Sequence, residues 1–213
     1  MKPLARVCIM LSLAWAATGL AAPAGAAAKR PVVTVISDSV AASISYVPVA
    51  QKDLEHGLAV QLDLKVCRRL IEPSCSYEGT APPTALSAVR SYGSRLGQVL
   101  VIDVGYNDSS SGYAKGIDTI MRAALSQGAR SVIWVTLRVA GSYASDYKSI
   151  NAEIKTAVRR WPELTVADWN AYSAGKPWFS TDGLHLNPSG AIGLASFLRT
   201  FVNRAVSQDQ RSR

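Results

Sequence analysis

The sequence predicts an α/β fold, a three-layer sandwich around a five-stranded parallel sheet. Two observations carry that prediction. Five short apolar or β-branched runs alternate along the chain with segments of helical periodicity. No internal repeat, long linker or later membrane-length apolar stretch interrupts the alternation. Strands separated by helices imply right-handed crossovers between parallel strands, buried under helices on both faces.

The elements follow in order. Residues 1–28 read as a secretory signal peptide. Lys2 and Arg6 supply the basic start, residues 7–20 an uncharged apolar run, and Ala24 to Ala28 the small residues that signal peptidase requires. That run has 14 residues, against the ~20 needed to span a bilayer. Cys8 within it lacks the small residues that precede a lipidated cysteine. Taking 28 residues from 213 leaves 185, residues 29–213, which suits one domain with a buried core. Residues 32–36, 60–66, 98–104, 131–137 and 164–167 are the five expected strands. Residues 41–55, 84–92, 113–127, 146–160 and 188–206 are the expected helices, with Gly128 just beyond the third, where a helix-ending glycine belongs. If the strand order is flavodoxin-like, 2-1-3-4-5, ligands gather at the carboxyl ends of the first and third strands, where the order reverses.

Charge and cysteine content narrow the classes further. The net charge is +8, and removing residues 1–28 takes away two basic residues and no acidic ones, leaving +6. A mild positive charge suits an anionic cell-wall polymer or membrane surface. Lys and Arg are nevertheless scattered, with no nucleic-acid motif, so solvated surface charge is the simpler reading and nucleic acid is excluded as a partner. Cys67 and Cys75, eight positions apart in an exported chain, are expected to form one disulfide. Only Glu72 lies between them as a further ligand, which argues against zinc.

Three polar clusters follow strands on the expected ligand edge: Ser37-Asp38-Ser39, Gly105-Tyr106-Asn107-Asp108 and Asp182-Gly183-Leu184-His185. A serine hydroxyl is a weak nucleophile at neutral pH and needs an adjacent base. Histidine is the side chain suited to take and return that proton, and a carboxylate fixes its orientation. An uncharged donor such as the Asn107 amide can stabilise the oxyanion of acyl transfer. The second histidine, His56, ends a helix and reads as a surface or capping residue.

These clusters resemble the sequence blocks of the SGNH (GDSL-like) hydrolases: a Gly-Asp-Ser nucleophile turn, a Gly-x-Asn-Asp turn and a late Asp-x-x-His. The order and separation are similar across essentially the whole chain after the signal segment. The resemblance implies the SGNH hydrolase fold and a catalytic set of Ser39, His185 and Asp182. It also implies an oxyanion hole from the Ser39 N–H, the Asn107 side chain and a glycine N–H after the second strand, for which Gly79 is the candidate. The family's first glycine is Ser37 here, a small residue expected to need only a modest adjustment. Asp38 and Asp108 are expected to serve as turn acceptors.

The implied activity is a secreted esterase that hydrolyses short-acyl esters through an acyl-serine, without metal or organic cofactor. The ester could sit on a small molecule or a polysaccharide. Asp38-Ser39-Val40 and the compact chain also resemble the catalytic half of extracytoplasmic O-acyltransferases. An idle cell-wall binding module is the alternative of another class. Trp178 and Phe179 could line the acyl pocket or pack on the sheet; Trp134 and Trp161 are expected in the core. Arg68, Arg69 and Arg138 follow strands within reach of the cleft.

Overall fold

The computed structural model describes residues 30–211, so the expected signal segment lies outside the described residues. Five parallel strands, β1 (Val32–Ser37), β2 (Ala59–Leu64), β3 (Val99–Asp103), β4 (Ser131–Val135) and β5 (Leu164–Ala167), form one sheet in the order β2-β1-β3-β4-β5. This is the predicted order, and it places β1 beside β3. Alternation sends Val33, Val35, Val99 and Val101 to one face and Ile36, Leu100 and Ile102 to the other. The first face is covered by α1 (Ser39–Tyr46), α2 (Pro48–Glu55) and α7 (Pro188–Arg211). The second is covered by α3 (Ala85–Tyr92), α4 (Tyr113–Ser126) and α5 (Ala144–Ala157). A single turn, α6 (Trp169–Tyr172), follows β5.

One expected helix is two. Residues 41–55 break at Val47, whose extended backbone (φ −120°, ψ 92°) separates α1 from α2. The cause is Pro48: its ring excludes the α conformation from the preceding residue, and it has no N–H to continue the ladder. Pro48 then serves at the first helical position of α2, where it is tolerated.

Helix α7 anchors the segment that precedes it. The Asn187 side chain accepts the Gly190 N–H at 3.0 Å, capping the helix, and Pro188 begins it. Trp178 lies across the glycines of the first turns and stacks on Trp169 at 5.7 Å. A Cβ on Gly190 would stand 2.1 Å from the Trp178 carbonyl oxygen, and one on Gly193 2.9 Å from its ring. Trp178 is thus packing rather than cleft lining, and so are Trp134, buried in the sheet, and Trp161, which donates to Asp118 at 2.7 Å. Among the described residues no helix is long and apolar enough to cross a membrane.

Gly190→Ala must therefore separate α7 from the Trp178 segment. It should destabilise the fold by about 1–3 kcal/mol, the usual range for overpacking. A thermal melt should show a drop of at least a few degrees, and an unchanged midpoint would mean that the close approach is not obligatory.

Candidate active site

The site forms where β1 and β3 end side by side. Asp38 follows β1, and its N–H donates to the Asp103 carbonyl of β3 at 3.1 Å. Its side chain caps α1 by accepting the Val40 N–H at 3.1 Å, which leaves Ser39 as the first helical residue. The other carboxylate oxygen accepts the Gly105 and Tyr106 N–H groups, both at 3.1 Å. One buried carboxylate thereby joins the Ser39 turn to the loop carrying Asn107. Ser37, in place of the family's glycine, has no positive φ and donates its hydroxyl to the Asp38 carbonyl at 2.9 Å. Serine therefore fits at this turn without strain.

The Asp182–His185 loop reaches Ser39 from the start of α7. His185 Nε2 is 3.0 Å from Ser39 Oγ, and His185 Nδ1 is 2.5 Å from Asp182 Oδ2. Asp182 Oδ1 accepts the Leu184 and His185 N–H groups at 2.9 and 3.0 Å, so both oxygens are engaged. Partial burial works against ionisation of Asp182, but the hydrogen bonds from the His185 ring and the two backbone N–H groups outweigh it and hold its carboxyl below the ordinary range. The His185 and Asp182 side chains are 50% and 46% exposed, so the Ser39–His185–Asp182 cluster stands at an open surface rather than in a deep cavity. A cavity of about 630 Å³ between β2 and the end of α7, lined by Val32, Gln61 and Gln98, lies at the opposite edge of the sheet.

Arg138 holds this loop in place. Its Nε–H donates to the Gly183 carbonyl at 2.8 Å, its guanidinium lies 3.8 Å from the Phe179 ring centroid, and its own N–H donates to the Tyr106 hydroxyl at 2.7 Å. Arg138 therefore covers one face of the Phe179 ring, which is also partly buried against the core. Arg68 is buried, paired with Asp63 at 2.8 Å and donating to the Pro83 carbonyl at 3.0 Å. None of these clasps was legible in the sequence beyond the arginines' positions after strands.

Asn107 sits in the turn that closes with the Asp108 N–H on the Gly105 carbonyl at 3.0 Å. One hydrogen of its amide is placed on the Arg68 carbonyl at 3.2 Å; a primary amide has a second. Asp108 accepts the Leu70 N–H at 3.0 and 3.1 Å, the turn role expected of it. Gly79 lies at the exposed tip of a two-residue turn between Tyr77 and Thr80, with positive φ at both Glu78 (49°) and Gly79 (78°). That geometry accounts for the glycine as a turn former. His56 ends α2 and contacts Arg199 at 3.2 Å, apart from the Asp182–His185 loop. Cys67 and Cys75 are bonded to each other, as expected. Among the described residues no group of three or more His, Cys, Asp or Glu could hold a metal ion.

Several solved structures share this architecture. The C-terminal catalytic domain of peptidoglycan O-acetyltransferase A from Streptococcus pneumoniae, solved with a methylsulfonyl adduct, superposes with a TM-score of 0.67 at 21% identity, over 84% of this chain and 96% of that one. A carbohydrate acetylesterase family member from Sinorhizobium meliloti gives 0.65 at 13% identity, over 83% and 99%. A protein of the G-D-S-L family from Desulfitobacterium hafniense gives 0.61 at 11%, over 80% and 98%. The chain has the SGNH hydrolase fold. No family model and no curated protein matches the sequence. In this SGNH fold the three polar clusters meet at the carboxyl edge of the sheet, as their placement after strands predicted.

Burial beneath the site leaves a pH signature. Burial pushes the Asp38 carboxyl up to about 6, against the pull of the Val40, Gly105 and Tyr106 N–H groups. Burial does the same to Asp108, also to about 6, against the Leu70 N–H. Asp103, with one buried carboxyl oxygen unpartnered, is pushed well up by burial and then by Asp38. A carboxyl raised by folding binds its proton more tightly in the folded state. Its stabilising contribution is complete below an ordinary Asp pKa of about 4 and is lost as pH rises through about 6. The melting temperature should thus rise as pH falls from about 7 to about 5, and Asp38→Asn should remove part of that rise. A melting temperature that only falls over this window would contradict the burial argument.

Proposed function

We propose that this protein is an extracytoplasmic serine esterase that cleaves short-acyl esters through an acyl-serine intermediate. The alignment of Ser39 Oγ, His185 and Asp182 in hydrogen-bond contact carries this reading. In the first half-reaction His185 Nε2 takes the Ser39 proton as Oγ attacks the ester carbonyl, and Asp182 stabilises the imidazolium. The second hydrogen of the Asn107 amide and the Ser39 N–H receive the oxyanion. His185 then protonates the departing alcohol. In the second half-reaction it deprotonates a water, which releases the acid and restores Ser39.

The substrate class follows from the openness of the site. A long acyl chain needs an enclosed apolar channel to remove it from water. A half-exposed triad instead suits a small acyl group carried on a bulky polar molecule such as a glycan. The disulfide supports an oxidising, extracytoplasmic setting.

One observation favours a second reading, transfer of the acyl group to a sugar hydroxyl. The structurally similar domain from Streptococcus pneumoniae belongs to a peptidoglycan O-acetyltransferase, and the same residues serve either acceptor. Acyl release from an aryl ester, measured with and without a soluble glycan, separates the two. Acyl-glycan formed at the expense of free acid marks transfer. A binding module without catalysis would leave Ser39 unlabelled by an active-serine phosphonate.

Ser39→Ala and His185→Ala should each nearly abolish turnover of aryl esters while the fold persists, and the double variant should be little worse than either. Near wild-type turnover in Ser39→Ala would end this proposal. Asn107→Ala should lower kcat by ~100-fold or more and leave KM nearly unchanged, the usual effect of losing one oxyanion donor. A purely structural Asn107 would instead lower the melting temperature with kcat retained.

A further inference from the structure

The segment after β2 is hydrogen-bonded to the turn that carries Asn107. Arg69 Nε donates to the Asn107 carbonyl at 2.6 Å, and Asn107 Nδ2 donates to the Arg68 carbonyl at 3.2 Å. The next residue, Leu70, gives its N–H to the Asp108 carboxylate. Three consecutive residues thus grip two consecutive residues of the facing turn, 38 or 39 positions away in sequence.

These three residues lie inside the ring closed by the disulfide. Cys67 and Cys75 have Cα atoms 5.1 Å apart, and the Cys75 N–H donates to the Cys67 carbonyl at 3.2 Å. Within the ring the Arg69 N–H donates to Ser74 Oγ at 3.2 Å. Cys67 itself has φ 68°, a conformation that a non-glycine residue keeps only where its surroundings over-determine it. On the inner side Arg68 is buried and fastened to Asp63 and to the Pro83 carbonyl, so the ring is fixed to the body of the fold. The guanidinium of Arg69 is the one charged group in the ring that reaches the Asn107 backbone, and a charged donor makes the stronger hydrogen bond.

We propose that the Cys67–Cys75 ring is the device that aims the Asn107 amide, with Arg69 as its positioning residue. This inference rests on the reading of Asn107 as an oxyanion donor. With its backbone carbonyl held by Arg69 and one side-chain amide hydrogen held by the Arg68 carbonyl, Asn107 has a single remaining amide hydrogen to present, in one direction. A preorganised donor needs no rotation as charge develops on the substrate oxygen, which is where such a group acts most strongly. Arg69 need not touch the substrate. Opening the ring leaves Arg68 and Leu70 anchored but releases the Ser74–Cys75 side that holds the Arg69 N–H, and so loosens the Arg69 grip on the Asn107 turn; the disulfide thereby contributes to rate as well as to stability.

The test is a comparison of Arg69→Ala, Asn107→Ala and the double variant, each counted by titration with an active-serine phosphonate. Arg69→Ala should lower kcat about ten-fold with KM unchanged, as expected for the loss of one charge-assisted positioning bond. The double variant should match Asn107→Ala, because Arg69 acts only through that amide. Reduction of the wild type by a small dithiol should lower kcat to a similar degree and reverse on reoxidation, while leaving the residual rate of Asn107→Ala unchanged. The inference is overturned if Arg69→Ala keeps kcat within about two-fold of wild type, or if the double variant falls a further ten-fold or so below Asn107→Ala, since independent sites multiply. If Asn107→Ala itself keeps the wild-type kcat, the oxyanion reading fails first and the inference fails with it. Loss in Asn107→Ala with none in Arg69→Ala defeats the inference alone.

Discussion

The buried carboxylate of Asp38 is the interaction on which the site depends. It accepts one N–H from the helix that begins with Ser39 and two from the loop that carries Asn107. Ser39 and Asn107 follow neighbouring strands whose pairing, Ser37 beside Asp103, ends before either residue. Three backbone donors converging on a single side chain carry that register on into the two segments beyond the sheet. The cost is burial of a charge, seen in a carboxyl pushed up to about 6, and a second buried acid, Asp103, lies directly behind it. Buried charge of this kind persists where it is fully hydrogen-bonded, and the Asp38 carboxylate is.

The remaining arms are fixed by different means around that centre. The Asp182–His185 loop is short and exposed, and it is held from behind by Arg138 on the Gly183 carbonyl and by the approach of Trp178 to the glycines of α7. The Asn107 turn is held from the side by the bridged segment after β2. In both cases an arginine donates to a backbone carbonyl rather than to a carboxylate, so it fixes the chain without neutralising a charge. The result is a site that is open to solvent yet has little freedom in its backbone.

Fold and candidate site were largely legible because both are written locally. A β-branched run such as Val32 to Ile36 specifies a buried strand by composition, and each polar cluster directly follows such a run or opens the last helix. Parallel connectivity then carries all strand ends to one edge. Pro48 was an equally local signal, and reading residues 41–55 as a single helix gave periodicity weight over a residue that cannot continue one. The single turn of α6 left no such trace, because four residues are too few to show a period.

The sequence by itself determined which chemistry-bearing residues exist, and it placed Ser39, Asn107 and His185 at the same edge, because strand direction and crossover handedness follow from local pattern. Only the tertiary structure decided what holds them. The Arg69 grip on Asn107, the Arg138 grip on Gly183 and the three-way acceptor role of Asp38 join residues between 2 and 68 positions apart. An arginine or aspartate reads the same in sequence whether it is solvated or clasping a distant carbonyl or amide. Its partner is fixed by packing of separate elements, and that information resides in no single segment of the chain.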